Sequence, residues 1–164
     1  MHQYPLSIGR MDKPFSLQRI KYCINEREVS TITTFRAILK GRNEVPPVRT
    51  ISTGNAFFQL NRTGDTIFFR LAIRNINRVT QAHIHLGRKG VNGPVVSFLF
   101  GPSKFGISVR RGVIRGTLRQ SDLVGPLNGK TIRDLVREFE KGNAYVNVHT
   151  IQHPDGEIRG QIFS

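Results

Sequence analysis

Ile67-Phe68-Phe69-Arg70-Leu71-Ala72-Ile73-Arg74 alternates without a break. Ile67, Phe69, Leu71 and Ile73 share one parity; Phe68, Arg70, Ala72 and Arg74 share the other. Successive side chains of a strand point to opposite faces, so the stretch predicts a strand with one apolar and one wet side. A parallel sheet covered on both faces would be apolar throughout, which makes the expected sheet antiparallel. Just upstream, Asn61-Arg62-Thr63-Gly64-Asp65 reads as a turn, being rich in residues that accept unusual backbone angles. Before it, Ala56, Phe58 and Leu60 form the inward parity of a second strand. In a third, from Thr34 to Gly41, Phe35, Ala37 and Leu39 alternate with Arg36, Ile38 and Lys40. Asn43-Glu44-Val45-Pro46-Pro47 between these two is a stiff extended connector, because each proline fixes its own φ and biases the residue before it.

Downstream, residues 81–86, 95–100, 113–119, 144–149 and 157–163 are further strand candidates, about eight in all. Short strands recurring between turn signals predict an all-β fold, a Greek-key β-sandwich or immunoglobulin-like barrel. One short helix interrupts them. Ile132, Leu135, Val136 and Phe139 make its apolar stripe, Thr131 with Asp134 its capping box, and Gly142 its end.

The 164 residues suit one domain, read as residues 31–164. Residues 1–30 are read as an N-terminal extension, in which Ser16 caps a brief basic turn carrying Leu17, Ile20 and Ile24. Met11 is an alternative start within it. Cys23 is the single cysteine, which excludes an intrachain disulfide and a thiolate metal cluster. The first thirty residues hold no apolar run of signal-peptide or membrane-span length, so the default expectation is a cytoplasmic protein without a membrane span.

Twenty-five Lys plus Arg stand against 11 Asp plus Glu, a net charge of +14. Such an excess attracts polyanions, whether nucleic acid, anionic lipid or an acidic protein. Arg36 and Lys40, Arg70 and Arg74, and Arg115 and Arg119 each recur four apart, which on a strand puts both members on one face. Arg88 and Lys89, in the glycine-rich segment 87–94, are two more basic groups, placed to attract an anion beside a histidine pair. There is little aromatic interleaving beyond Phe68, so base stacking has poor support and any polyanion binding is expected to be electrostatic and steeply salt-sensitive. Arginine stems lying over apolar surface with their guanidiniums in water are the simpler account of the same face.

Four of the five histidines fall in two motifs, His83-Ile84-His85 and His149 with His153. In residues 81–86 the apolar parity is Ala82, Ile84 and Leu86, which turns His83 and His85 to the opposite, solvent-facing side. In residues 144–149 the same logic turns Tyr145, Asn147 and His149 outward. Brought side by side, His83, His85, His149 and His153 suit copper or zinc, which favour neutral imidazole. Because ligating imidazoles must be unprotonated, affinity is expected to fall below about pH 6. Asp155 and Glu157 are nearby oxygen donors, though Glu157 more economically pairs with Arg159 or caps a turn. The alternative is that the histidines hydrogen-bond loop carbonyls and organise the turns. No phosphate loop, no Gly-x-Ser-x-Gly elbow and no histidine beside a serine or cysteine nucleophile is present, so no catalytic residue is assigned.

Three ordered motifs carry a family resemblance. They are Asn43-Glu44-Val45-Pro46-Pro47-Val48, then Ala82-His83-Ile84-His85 with Asn92-Gly93-Pro94-Val95-Val96, then Tyr145-Val146-Asn147-Val148-His149-Thr150 with His153-Pro154-Asp155-Gly156-Glu157-Ile158-Arg159-Gly160-Gln161. Together they resemble the CHRD domain, named after repeats in chordin and also occurring as single domains in bacteria. The resemblance spans residues 34–164 and implies an immunoglobulin-like β-barrel or sandwich. The reading favoured on these grounds is a non-enzymatic binding or assembly module, with metal binding and polyanion binding as alternatives.

Overall fold

The computed structural model describes residues 32–164; the expected N-terminal extension lies outside the described residues. Seven strands follow in chain order: β1 (Thr34–Lys40), β2 (Thr53–Leu60), β3 (Ile67–Leu86), β4 (Val95–Phe100), β5 (Ile107–Leu118), β6 (Ala144–Thr150) and β7 (Ile158–Phe163). One helix, α1 (Ile132–Glu140), lies between β5 and β6.

The count is seven and not eight because two expected strands, 67–74 and 81–86, are the two ends of β3. Between them the chain bulges at Ile76 to Val79, and Asn75 and Arg78 take positive φ values of 51° and 53°. Asparagine tolerates the left-handed region better than most residues. The bulge adds local twist and redirects the strand without ending it. Its first half pairs with β2 and β5, its second half with β6 and β4.

That change of partner closes the sheet into a barrel. The pairs β1–β2, β2–β3, β3–β6, β6–β7 and β7–β1 form a ring, every pair antiparallel. Direction must alternate from neighbour to neighbour, so five straight strands cannot close such a ring. It closes because β3 enters twice, with two differently directed halves. β4 and β5 are additional strands on β3.

Inward parities behave as the alternation predicts. Phe35, Ala37, Leu39, Phe58, Leu71, Ile73, Ile84, Val146, Val148 and Ile162 belong to one buried apolar cluster. Ile132, Leu135, Val136 and Phe139 of α1 join it, with Phe139 meeting Phe35 edge-on at 5.2 Å between centroids and Phe58 at 5.4 Å. The helix begins on the expected capping box: Thr131 accepts from the Asp134 amide, and the Asp134 carboxylate accepts from the Thr131 amide. It ends just before Gly142, at φ 63°. No helix among the described residues is long and apolar enough to cross a membrane.

Candidate metal centre

β6 has no wet face. All seven of its residues are buried, so a second covered layer exists on the outer side of the barrel wall. On that side β3 contributes His83 and His85, β6 contributes Tyr145, Asn147 and His149, and β7 contributes Arg159. The ladder pairs His83 with Asn147, His85 with Tyr145, and Asn147 with Arg159.

Two loops cover this layer. Loop 87–94 leaves β3 and folds back over it: the Gly93 amide donates to the Tyr145 hydroxyl at 3.1 Å, and the Gly93 carbonyl lies 2.9 Å from Nδ1 of His85. Glycine is needed at 93, since a Cβ there would collide with the Leu86 carbonyl. The connector after β1 supplies the other cover. Its Glu44 is buried and accepts weakly from Asn147 Nδ2 at 3.4 Å, and its Val45 carbonyl accepts from Asn92 Nδ2 at 2.8 Å.

Arg159 ties the cover down. It is only 2% exposed, and its guanidinium donates to Asn92 Oδ1 at 2.8 Å and to the carbonyls of Val91 at 2.7 Å and Arg88 at 3.2 Å. It also lies 3.4 Å above the centroid of the Tyr145 ring. Glu157 does not pair with it. Its carboxylate instead accepts from the hydroxyls of Thr50, Ser52 and Thr150 at 2.6–2.9 Å.

The expected solvent exposure of the histidines is therefore corrected. Parity places them on the outer face as read, but His83, His85 and His149 are 4%, 8% and 6% exposed: loop 87–94 meets His85, the turn after β6 meets His149, and Phe98 meets His83. One nitrogen from each lies within 4.8 Å of the others. The rings of His83 and His149 are 4.9 Å apart between centroids, those of His83 and His85 5.5 Å, and those of His85 and His149 6.0 Å. His85 stacks on Tyr145, and the exposed Phe98 of β4 meets His83 edge-on.

His153 is not in this group. Its backbone shapes the turn after β6, with its amide donating to Thr150 Oγ1 and its carbonyl accepting from the amides of Thr150 and Gly156. That turn presents the Pro154 carbonyl to Nδ1 of His149 at 2.8 Å. Two of the three histidines thus use Nδ1 on a loop carbonyl, which sets Nε2 as the ring nitrogen with the free lone pair. Nε2 of His85 and His149 and both nitrogens of His83 have no partner within the protein. Asn147 Oδ1 and Glu44 Oε1 have none either.

Burial holds all three imidazoles below the ordinary histidine range. His83 is pushed down to about 4, chiefly by desolvation, with His149 and His85 adding to it. For His85 and His149 desolvation also dominates, against the raising effect of their carbonyl hydrogen bonds. Below about pH 6.5 the unfolded chain takes up protons that the folded chain refuses. The histidines therefore contribute stability above that pH and lose it as pH falls towards 4. Glu44 works the other way. Burial raises it to about 7, with Arg159 and Asn147 pulling it back, so its contribution is present at low pH and is lost as pH rises through 7. Three groups oppose one. The urea midpoint of metal-free protein is expected to fall between pH 6.5 and pH 4.5, and to fall more steeply in Glu44→Gln; a flat profile in both would contradict these assignments.

Of the basic residues singled out in the sequence, the three spaced pairs lie elsewhere, and Arg88 and Lys89 lie on the covering loop. Arg36, Arg70, Arg74 and Arg115 are exposed and Lys40 is half-buried, all on outward positions of β1, β3 and β5. Arg119 lies just past β5, where its amide donates to Asp122. Arg88 and Lys89 are exposed on loop 87–94.

Residues 35–162 match the family model of the CHRD domain. No curated protein and no solved structure matches the chain. The matched span holds the whole barrel except the ends of its first and last strands, together with all three clustered histidines and both covering loops. The chain belongs to the CHRD domain family.

Proposed function

We propose that this CHRD domain is a binding module whose ligand is one copper or zinc ion, held by Nε2 of His85 and His149 and one ring nitrogen of His83. The observation that carries the reading is a group of three buried histidines, one nitrogen of each within 4.8 Å of the others, in which Nε2 of His85, Nε2 of His149 and both nitrogens of His83 have no partner in the protein. Hydrogen bonding to loop carbonyls, the alternative, accounts for Nδ1 of His85 and of His149 and for no nitrogen of His83. A buried polar group left without a partner costs about 1–3 kcal/mol, a cost that a metal–nitrogen bond removes.

The rest of the layer supports the same reading. Donation of Nδ1–H to a carbonyl is the usual means of orienting a ligating imidazole. Burial keeps the imidazoles neutral, which is the form that binds metal, so retention should persist to lower pH than ordinary histidines would allow. An all-imidazole donor set suits copper and zinc alike. Three protein ligands leave a further position for water or a small ligand.

Equilibrium dialysis against each metal, with elemental analysis of tag-free protein, tests the proposal. One equivalent is expected in the parent and in His153→Ala, and none in a His85→Ala, His149→Ala double variant. Equal retention in the double variant would end it.

A further inference from the structure

None of the seven strands contains an aspartate or a glutamate. The acidic residues of the described chain are confined to turns, connectors and α1, whereas β1, β3 and β5 carry exposed arginines. Charge is thus segregated by element, and the outer barrel wall away from the histidine layer presents cations without counter-charges. Among the described residues, the ion pairs are Arg137–Asp134 and Lys141–Glu138, both within or beside α1.

The ladder registers set those cations among aromatic rings. Arg115 stands opposite Arg70, Arg70 opposite Phe57, Phe57 opposite Arg36, and Arg36 opposite Phe163. This is one continuous row across five strands, about 20 Å at the usual strand spacing. The Arg36 guanidinium lies 5.1 Å from the Phe163 ring centroid. Phe68 sits two residues along β3 from Arg70, diagonal to Phe57, and Arg74 stands opposite Arg111 four positions the other way. Phe57, Phe68 and Phe163 are 43%, 50% and 40% exposed. The spacing of the basic pairs alone, with little aromatic interleaving beyond Phe68, gives base stacking poor support; the registers add Phe57 and Phe163 to the same face.

We infer that this face binds a single-stranded polynucleotide, with phosphates on Arg36, Arg70 and Arg115 and bases stacked on Phe57, Phe68 and Phe163. Three large rings left open on the outer barrel wall mark a contact surface. A second copy of the same face would set like charges against like. A duplex satisfies the arginines but keeps its base planes inside its own stack, away from the phenylalanines. An unpaired strand offers phosphates and free base faces together, the combination that arginine–aromatic sheet surfaces use. No group on the row reads the sugar, so ribose and deoxyribose strands are both expected to bind.

The test is fluorescence anisotropy of the full chain, with chelator present, against labelled 20-mers of oligothymidylate and oligouridylate. A 20-mer duplex, heparin and phosphatidylserine vesicles serve as competitors. Both single strands should bind at least tenfold more tightly than the duplex. Phe57→Leu with Phe163→Leu should weaken binding about tenfold at every salt concentration, while Arg70→Ala with Arg115→Ala should lower the slope of log affinity against log salt by about two. All four side chains face outward, so melting temperatures of the variants should match the parent and separate lost binding from lost folding. Equal binding of duplex, preferential binding of heparin or vesicles, or indifference to loss of the phenylalanines would each overturn the inference.

Discussion

Replacing Arg159 by alanine is expected to destabilise the domain by about 3–5 kcal/mol, measured as a fall in urea midpoint at constant slope. Folded domains of this size are stable by roughly 5–15 kcal/mol in total, so the variant should sit near the edge of folding at 37 °C. The size follows from what the guanidinium does. It satisfies two loop carbonyls and Asn92 Oδ1, covers the Tyr145 ring, and is the cation that pulls down the pKa of buried Glu44. Removing it strands those acceptors beneath the loop and takes away the charge that offsets part of the desolvation of Glu44. Arg159→Lys should recover only part of the loss, because one ammonium cannot span three acceptors set in a fork. The histidine layer should also loosen, since Arg159 anchors the loop whose Gly93 carbonyl holds His85. A loss under about 1 kcal/mol for the alanine variant would show that Arg159 behaves as a surface residue.

His83→Leu should do the opposite to the metal-free protein. Neither nitrogen of His83 has a partner in the protein, so an apolar side chain of comparable size removes a desolvation cost and gains packing beside Phe98. The expected gain is about 1–2 kcal/mol. With metal present the order should reverse. A ligand at a hundredfold excess over its dissociation constant stabilises the folded parent by about 2.7 kcal/mol, and the leucine variant, left with two of the three ligands, forfeits most of that. Stability exchanged for a binding group in this way is the mark of a functional residue. Thermal melts of both proteins, with chelator and with metal, give the four values needed. If His83→Leu is the less stable protein under both conditions, His83 is a structural residue and the metal reading of the layer fails.

Much of this arrangement was readable from parity, and the errors have a common cause. Alternation in 67–74 and 34–40 put the correct side chains in the core, and Thr131, Asp134 and Gly142 bounded α1 correctly, because these signals depend only on local backbone geometry. Parity also put His83, His85 and His149 on one side of the wall. It could not tell what lay on that side, since exposure is decided by what folds over it: loop 87–94 at His85, Glu44 at Asn147, the turn after β6 at His149 and Phe98 at His83. The same blindness left Arg159 unrecognised as the fastening of the layer, although it shares its parity with Gln161 and is paired across the ladder with Asn147. Spacing and the motif set His153 beside His149 in the sequence; in the fold it stands outside the three-histidine group, and its amide and carbonyl shape the turn. Joining 67–74 to 81–86 required seeing that Asn75 and Arg78 turn a strand without ending it. Phe57 was within reach, because the alternation of Ala56 and Phe58 inward assigns it outward. Its place beside Arg36 and Arg70 emerged only from the strand pairing.

X-ray absorption of protein loaded with one equivalent of zinc or copper tests the three-histidine centre most directly. The account predicts three imidazole nitrogens at about 2.0–2.1 Å from the metal, reduced to two in His83→Leu and unchanged in His153→Ala. A donor set made of oxygens, or one that His83→Leu leaves intact, would contradict it.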